Sequence, residues 1–256
     1  MDFPVLISYA NDGYFNFAKN MLISLDKTCK HHKIHFYCLD HIIYEKVKKL
    51  EFQNIQLTFE LYNENDVSYK FEIYDSIQYI KITHTKMNIL KNALKKFQFI
   101  HFIDCDVVCV KEPTLEHYKK YENYDIVFQY DGIMNSASYI NDKTIHYIWA
   151  CTGNTSLRNT RETHFLLDKI IEYQNMYKNK NDQECLYQCF LDNSIDDIRN
   201  YKPTKLYTYE INEYTNGYWL NNNIGTLDDT YFFHANHVIG DVAKMDLLKK
   251  ANHFFI

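Results

Sequence analysis

Short apolar runs alternate with segments of helical periodicity along this chain, and that alternation is the feature that most narrows its possible folds. In segments 15–25 and 85–96, apolar side chains recur three, four or seven residues apart, as they do on one face of a helix. The apolar runs suited to buried strands lie at 3–9, 34–39, 55–61, 99–103 and 125–129. Strands that alternate with helices predict an α/β fold with a mostly parallel central sheet flanked by helices.

The second half of the chain is less regular. Segments 165–173 and 184–191 have helical periodicity, and a further helix is expected from about Ala243. The segment 201–230 is polar, aromatic and rich in asparagine, and it allows no assignment. No internal repeat and no Pro/Gly/Ser-rich linker divides the sequence, so we expect a single domain over residues 1–256.

Composition excludes several classes of protein. A net charge of −5 disfavours a nucleic-acid-binding protein that uses a broad basic surface. No apolar run approaches the roughly 18 residues that span a bilayer, and the N-terminus has no basic segment before an apolar one. Seven scattered cysteines without a CxxC pair are typical of reduced thiols. These features predict a cytoplasmic protein without a membrane span.

The triplet Asp104-Cys105-Asp106 points most directly to chemistry. It follows the apolar run 99–103, and parallel α/β sheets bind ligands beyond the carboxyl ends of their strands. Residues two apart on an extended chain face the same side, so the two carboxylates repel each other unless a cation lies between them. Carboxylate oxygens suit Mg²⁺ or Mn²⁺. We interpret the pair as a metal site; the alternative is a solvated loop that carries two acids.

A second group of chemistry-bearing residues lies near the C-terminus. The stretch 232–240 contains His234 and His237, and a neutral imidazole is a good third ligand for Mn²⁺. The alternative is that both rings are packed or hydrogen-bonded in the core. Gly240 is one of only six glycines and would let backbone approach a phosphate. Lys244 follows about one helical turn later as a counter-charge for that phosphate.

Three other positions have plain structural interpretations. Asp182 precedes a helical segment and is interpreted as its N-cap. The segment 151–155 contains Gly153 and is interpreted as a turn. Lys86 lies on the helical segment 85–96, where a lysine is usually solvated.

Taken in order, five blocks of this sequence resemble a nucleotide-diphospho-sugar transferase of the GT-A fold, whose central sheet is Rossmann-like. The similarity is greatest to the retaining glycosyltransferases of family 77 and more distant to family 8. The blocks are 8–14 with 20–25, 101–108, 127–132, 152–160 with 181–183, and 234–240 with Lys244. No block is specific by itself, but the ordered set spans nearly the whole chain.

The resemblance implies a role for each matching residue. Asp104 and Asp106 match the DxD motif that holds Mn²⁺ (or Mg²⁺) against the donor diphosphate. His234 matches the histidine that completes the metal site, with His237 as the second choice. The positions that match donor-binding residues are Tyr9, Ala10, Asn11, Lys86, Asp104, Cys105, Gly153, Gly240 and Lys244. The catalytic positions are Asp131 and Asp182, which match acids that hold sugar hydroxyls, and Gln183, which matches a residue near the anomeric carbon.

The implied activity is transfer of a sugar from a nucleotide-diphosphate donor, by family a UDP-sugar, to a hydroxyl of a glycan or protein acceptor with retention of configuration. Because Gln183 is not a carboxylate, the sequence favours attack from the same face over a covalent intermediate. The family's usual Asn-x-Gly reads Cys151-Thr152-Gly153 here, so an amide that would contact the sugar is missing. That departure keeps open a catalytically silent nucleotide-sugar-binding module. A phosphoryl-transfer enzyme would need a phosphate-binding glycine loop or more clustered acids, and the sequence has neither.

Overall fold

The computed structural model describes residues 2–62, 67–132 and 149–256. The strands of a seven-stranded sheet are β1 Val5–Ala10, β2 Lys33–Cys38, β3 Gln56–Leu61, β4 Phe99–Ile103, β6 Ile126–Tyr130, β7 Ala150–Arg158 and β8 Leu206–Thr208. Those of a three-stranded sheet are β5 Val107–Cys109, β9 Tyr214–Asn216 and β10 Phe232–His234. The helices are α1 Phe15–Thr28, α2 His41–Val47, α3 Ile77–Lys96, α4 Leu115–Lys119, α5 Arg161–Met176, α6 Asp182–Asp192, α7 Gly217–Asn221 and α8 Asp241–Lys250. None of the helices in these ranges has the length and apolar character to cross a membrane.

The larger sheet has the order β3-β2-β1-β4-β7-β6-β8. Strands β3, β2, β1 and β4 are parallel neighbours, and β6 is parallel to β8. Strand β7 lies antiparallel between β4 and β6. The predicted α/β fold with a mostly parallel sheet is therefore confirmed, with β7 as the exception.

Helices cover both faces of the larger sheet. On one face, α3, α5 and α6 bury apolar side chains against the sheet. On the other face, α1 and α2 do the same. The predicted helix 15–25 lies within α1, and the predicted helix 85–96 forms the second half of α3, which begins at Ile77. The spacing of apolar residues predicted these two helices correctly because each helix has one side buried and one side in water.

The interpretation of segment 151–155 as a turn is wrong, because these residues form the middle of β7. The strand is buried over Ala150–Leu157, although its residues are mostly small or polar. Two of its polar side chains have partners in neighbouring strands: Asn154 Oδ1 lies 2.8 Å from His101 Nε2, and Thr155 donates to the Val127 carbonyl (3.0 Å). Such a strand shows no apolar run, so only its pairing on both edges reveals it.

The N-cap of α6 is Asn181 and not Asp182, the first residue of the helix. The Asn181 side chain accepts a hydrogen bond from the N–H of Glu184, and the Glu184 carboxylate accepts one from the N–H of Asn181. This reciprocal capping box places the N-cap one residue earlier than predicted. Asp182 is thereby free of a capping role and available to other partners.

Candidate active site

Two acids of the site lie where strand β4 ends. The backbone N–H of Asp104 donates to the carbonyl of Gly153 in β7 (2.7 Å). The N–H of Val107 then donates to the Asp104 carbonyl (3.0 Å), so the chain turns and enters β5 of the smaller sheet. This turn places Asp104 and Asp106 at the boundary between the two sheets. A buried strand thus carries both carboxylates to the sheet edge where α/β proteins bind ligands.

Strand β10 brings His234 to the same place. It pairs antiparallel with β5, and the N–H of Ala235 donates to the Asp106 carbonyl (3.1 Å). As a result, His234 Nε2 lies 3.2 Å from Oδ1 of Asp106. One ligand atom each from Asp104, Asp106 and His234 lie within 4.8 Å of one another. The structure therefore brings together the three side chains that the sequence analysis assigned to a metal.

The hydrogen bonds around His234 determine which of its nitrogens carries the proton. Gln129 Nε2 donates to the carbonyls of Tyr214 and Thr215 (3.0 and 2.9 Å), so its other amide atom, Oε1, is an acceptor. That oxygen lies 3.2 Å from His234 Nδ1, which must therefore be the protonated nitrogen of the neutral ring. The Nε2 lone pair then faces an oxygen of Asp106, and a cation between two such acceptors removes their repulsion.

Gly153 lets two of the predicted ligands lie close to the backbone of β7. A Cβ at this position would overlap both the Asp104 carboxylate and the His234 ring. Asp104, Asp106 and His234 together offer two carboxylates and one imidazole, a donor set that suits Mn²⁺ or Mg²⁺. The residues present thus fit the ion that the resemblance implies.

A buried lysine and a half-buried lysine neutralise the acids of this group. Lys86 Nζ lies 3.2 Å from Asp104 Oδ1 and 2.9 Å from Asp182 Oδ2, and only 3% of its side chain is exposed. Lys244 Nζ forms an ion pair with Asp106. The prediction of a solvated Lys86 is wrong, because the residue lies on the buried face of α3. Two carboxylates offset the cost of burying its charge there.

Burial and ion pairing act in opposite directions on the pKa values of the two acids. Burial raises the pKa of Asp104, and the neighbouring Lys86 offsets only part of that rise. Burial also acts to raise the pKa of Asp106, but the ion pair with Lys244 opposes it, and that pKa lies well below its usual range. Asp106 therefore stays ionised, whereas the charged form of Asp104 gains most from a further cation.

The acids line a cavity of about 480 Å³, a volume in the range of pockets that hold small organic ligands. All of the predicted donor-binding positions line it: Tyr9, Ala10, Asn11, Lys86, Asp104, Cys105, Gly153, Gly240 and Lys244. Two of these residues, Tyr9 and Asn11, also donate hydrogen bonds to backbone carbonyls of segments beside the cavity. The Tyr9 hydroxyl donates to the Ile82 carbonyl of α3 (3.1 Å), and Asn11 Nδ2 donates to the carbonyls of Ser68 and Lys70 (2.6 and 2.8 Å).

An aromatic wall of this cavity was not identified from the sequence. Its members are Tyr14, Phe71, Tyr74 and Tyr79. The rings of Tyr14 and Phe71 pack with centroids 4.6 Å apart, and the Tyr14 hydroxyl donates to the Glu72 carbonyl (3.0 Å). Aromatic faces suit nucleotide bases and sugar rings. The sequence feature that points to these residues is the density of aromatic residues in 69–79, a segment outside the helices and strands that periodicity predicts.

A network centred on Asp131 forms another part of the cavity lining. Gln183 Nε2 and Asn236 Nδ2 donate to its two carboxylate oxygens (2.7 and 2.8 Å). Gln183 Oε1 in turn accepts a hydrogen bond from the N–H of Thr152 (3.1 Å). His237, the second choice for the metal, has its Nε2 3.5 Å from Asp131 Oδ1 and lies outside the group formed by Asp104, Asp106 and His234. The structure thus places His237 with the predicted catalytic residues and not with the predicted metal ligands.

Comparisons with known proteins identify the family and the fold of this chain. A family model described as nucleotide-diphospho-sugar transferase matches residues 29–248. Among solved structures, the chain is similar to a glycosyltransferase involved in the glycosylation of the major capsid of PBCV-1 (TM-score 0.53, 10% identity, 98% of this chain and 97% of that chain). It is also similar to the glycosyltransferase GlyE of Streptococcus pneumoniae TIGR4 (TM-score 0.53, 10% identity), covering 97% of this chain and 61% of GlyE. No curated protein sequence matches the chain. At 10% identity, both structural similarities show a shared fold.

Proposed function

From the premise that this chain belongs to the nucleotide-diphospho-sugar transferase family and is a glycosyltransferase, we propose that its activity depends on a divalent metal ion. The donor in this proposal is a UDP-sugar, the acceptor is a hydroxyl of a glycan or protein, and the anomeric configuration is retained. The observation that carries the proposal is the meeting of Asp104, Asp106 and His234, two of which lie against Gly153.

In this proposal, Asp104, Asp106 and His234 hold Mn²⁺ or Mg²⁺, which when bound would offset the charge that develops on the diphosphate leaving group. The other contributions to catalysis come from residues of the chain. Lys86 and Lys244 supply fixed positive charge within a largely buried site, where electrostatic interactions are stronger than in water. Asp131 is held by hydrogen bonds at both of its oxygens, so it offers oriented acceptor positions to sugar hydroxyls.

The residues near Gln183 support attack from the same face of the sugar. The bond from the acceptor oxygen to the anomeric carbon forms as the bond to the leaving phosphate breaks, and the acceptor proton passes to a phosphate oxygen. A covalent intermediate would need a free carboxylate nucleophile, but Asp182 is bound to Lys86 and Asp131 to Gln183 and Asn236. Gln183 orients Asp131 and the sugar and does not become bonded to the sugar.

We expect Gln183→Ala to lower kcat about tenfold, a loss of about 1.4 kcal/mol, because Asp131 loses one of its orienting hydrogen bonds. Intact-mass spectrometry with a slow donor analogue should detect no sugar covalently attached to the enzyme. Gln188→Ala is the matched control, since Gln188 lies on the same helix and bonds Asp192. A glycosyl-enzyme adduct trapped on Asp131 or Asp182 would refute the same-face mechanism.

A second prediction concerns Gly153, which lies against two of the predicted metal ligands. We expect Gly153→Ala to weaken Mn²⁺ binding about 10- to 100-fold, because the new methyl group overlaps the Asp104 carboxylate and the His234 ring. Mn²⁺ affinity can be measured by electron paramagnetic resonance titration, with circular dichroism to show that the fold is retained. An unchanged affinity in a folded variant would mean that the ion does not bind between these side chains.

The silent binding module is the second candidate function, and the observation that favours it is Cys151 in place of the family's asparagine. Cys151 is buried, its Sγ lies 3.5 Å from His234 Nδ1, and burial raises its pKa. A neutral thiol there cannot replace an amide that contacts the sugar. Cysteine at position 151 therefore removes a sugar contact but leaves the three predicted metal ligands in place.

A panel of nucleotide sugars with Mn²⁺ separates the two candidates. The enzyme should slowly hydrolyse one donor in a Mn²⁺-dependent manner, and Asp104→Ala should not. A silent module would instead show joint stabilisation by Mn²⁺ and the donor without hydrolysis. Comparison of UDP- and GDP-sugars in the same panel identifies the nucleotide.

A further inference from the structure

Four side chains with metal-binding atoms meet near the end of α1, away from the cavity described above. Cys29 follows α1 and Cys109 ends β5, and their sulfur atoms lie 3.6 Å apart. His32 Nδ1 lies 2.9 Å from Glu112 Oε1. One ligand atom each from Cys29, His32 and Glu112 lie within 4.8 Å of one another. The proposed transfer reaction uses none of these four residues.

The separation of the two sulfur atoms suits a shared metal ion. A disulfide would need them about 2.05 Å apart. Two Zn–S bonds of about 2.3 Å at the tetrahedral angle place the sulfurs about 3.8 Å apart. The observed distance of 3.6 Å is close to that value. The two thiols therefore already have the spacing of zinc ligands.

His32 supplies an independent indication of a ligand. Its ring is buried, with 3% of the residue exposed, and Nε2 makes no hydrogen bond within the described ranges of the chain. When Nδ1 donates to Glu112, the lone pair lies on Nε2. A histidine that donates one nitrogen to a carboxylate and offers the other to a metal is a common arrangement in zinc proteins. A buried imidazole nitrogen without a hydrogen bond is costly unless a ligand binds it.

Charge in the cluster also suits a cation. The Glu112 carboxylate accepts hydrogen bonds from the backbone N–H groups of Lys30 and His31 (2.9 and 2.8 Å) and lies 2.9 Å from His32 Nδ1. A carboxylate therefore lies in the same cluster as two thiols that can lose their protons when a metal binds.

We propose that Cys29, Cys109 and His32, supported by Glu112, bind a structural Zn²⁺ ion. Binding would release the protons of the two thiols and leave two thiolate–zinc bonds. The ion would join the end of α1 to β5, whose first residue directly follows Asp106. This zinc site would therefore anchor the segment that carries one of the predicted catalytic-metal ligands.

Co²⁺ is the probe that separates this site from the active site, because only thiolate ligands give a strong thiolate-to-cobalt charge-transfer band. We expect the full-length reduced protein to bind Co²⁺ with such a band and to lose the band when Zn²⁺ displaces it. Cys29→Ser and Cys109→Ser should each abolish the band, and His32→Gln should weaken it. Asp106→Asn and Cys151→Ser should retain it, since both residues lie in the active-site cavity.

Thermal unfolding gives a second readout. Zn²⁺ should raise the melting temperature of Asp106→Asn, which lacks one of the predicted active-site ligands, but not that of the double variant Asp106→Asn/Cys29→Ser. The zinc proposal is overturned if no thiolate band forms, if the band survives in both cysteine variants, or if it disappears with Cys151→Ser. Loss of two free thiols on oxidation, with no metal uptake by the reduced protein, would show instead that Cys29 and Cys109 form a disulfide. None of these outcomes tests the proposed transferase activity, which is tested separately by donor hydrolysis with Asp104→Ala.

Discussion

Asp106→Asn should lower Mn²⁺-dependent hydrolysis of the nucleotide-sugar donor about 10²- to 10³-fold. The substitution removes a charged ligand oxygen and leaves Lys244 and His234 without the carboxylate that they both contact. An asparagine oxygen is a weaker ligand for a hard divalent cation than a carboxylate oxygen. Steady-state kinetics with the donor identified from the panel measures the effect, and metal titration shows whether Mn²⁺ affinity falls in parallel.

Melting temperature provides a second measurement of the same change. Donor and Mn²⁺ together should raise the melting temperature of the wild-type enzyme more than either does alone, and Asp106→Asn should abolish that joint effect. Asp246→Asn is the matched control, since Asp246 forms an exposed pair with Lys249 on α8. If Asp106→Asn kept near wild-type hydrolysis while remaining folded, metal dependence through this carboxylate would be wrong.

Lys86→Met should destabilise the fold by about 3–5 kcal/mol, the largest stability change expected for a single substitution in this site. Lys86 is the buried cation between Asp104 and Asp182, and methionine preserves the length of the side chain without its charge. The two carboxylates would then be left in a buried site without that partner. Urea unfolding in metal-free buffer gives the free energy of unfolding.

Lys91→Met on the same helix is the control for Lys86→Met. Lys91 pairs with Asp168, whose side chain is 54% exposed, so its removal should change the free energy of unfolding by less than about 0.5 kcal/mol. Mn²⁺ should restore part of the stability lost in Lys86→Met, because a bound cation replaces some of the missing positive charge beside Asp104. Equal effects of the two substitutions would show that the buried ion pairs around Lys86 are not important for stability.

The fold could be predicted wherever burial is one-sided. The helices at 15–25 and 85–96 and the run 99–103 have patterns that follow from one apolar face or from complete burial in a parallel sheet. Strand β7 could not be predicted, because its residues are mostly small or polar and leave no apolar signal, and only backbone pairing with β4 and β6 defines it. Strands β8, β9 and β10 have three residues each, and pairing with distant segments is what defines them.

The candidate site also contains some residues that the sequence predicts and others that it does not. Asp104 and Asp106 could be found because they follow a strand-like run in a triplet with an evident electrostatic conflict. Lys86 was misinterpreted, since a lysine in a helix is usually solvated and its two buried partners lie 18 and 96 residues away in sequence. Gln129 was missed entirely, although it fixes the tautomer of His234.

The sequence by itself determined the α/β class, the order of the chemistry-bearing blocks and the pair of acids after β4, because each of these depends on neighbouring residues along the chain. Only the tertiary structure decided that His234 rather than His237 lies beside Asp106, that Asp104 and His234 lie close against Gly153, and that Lys86 is buried. These features depend on contacts between β4, β7, β10 and α3. The energies of ion pairs and buried hydrogen bonds depend on such distances, which local sequence patterns do not contain.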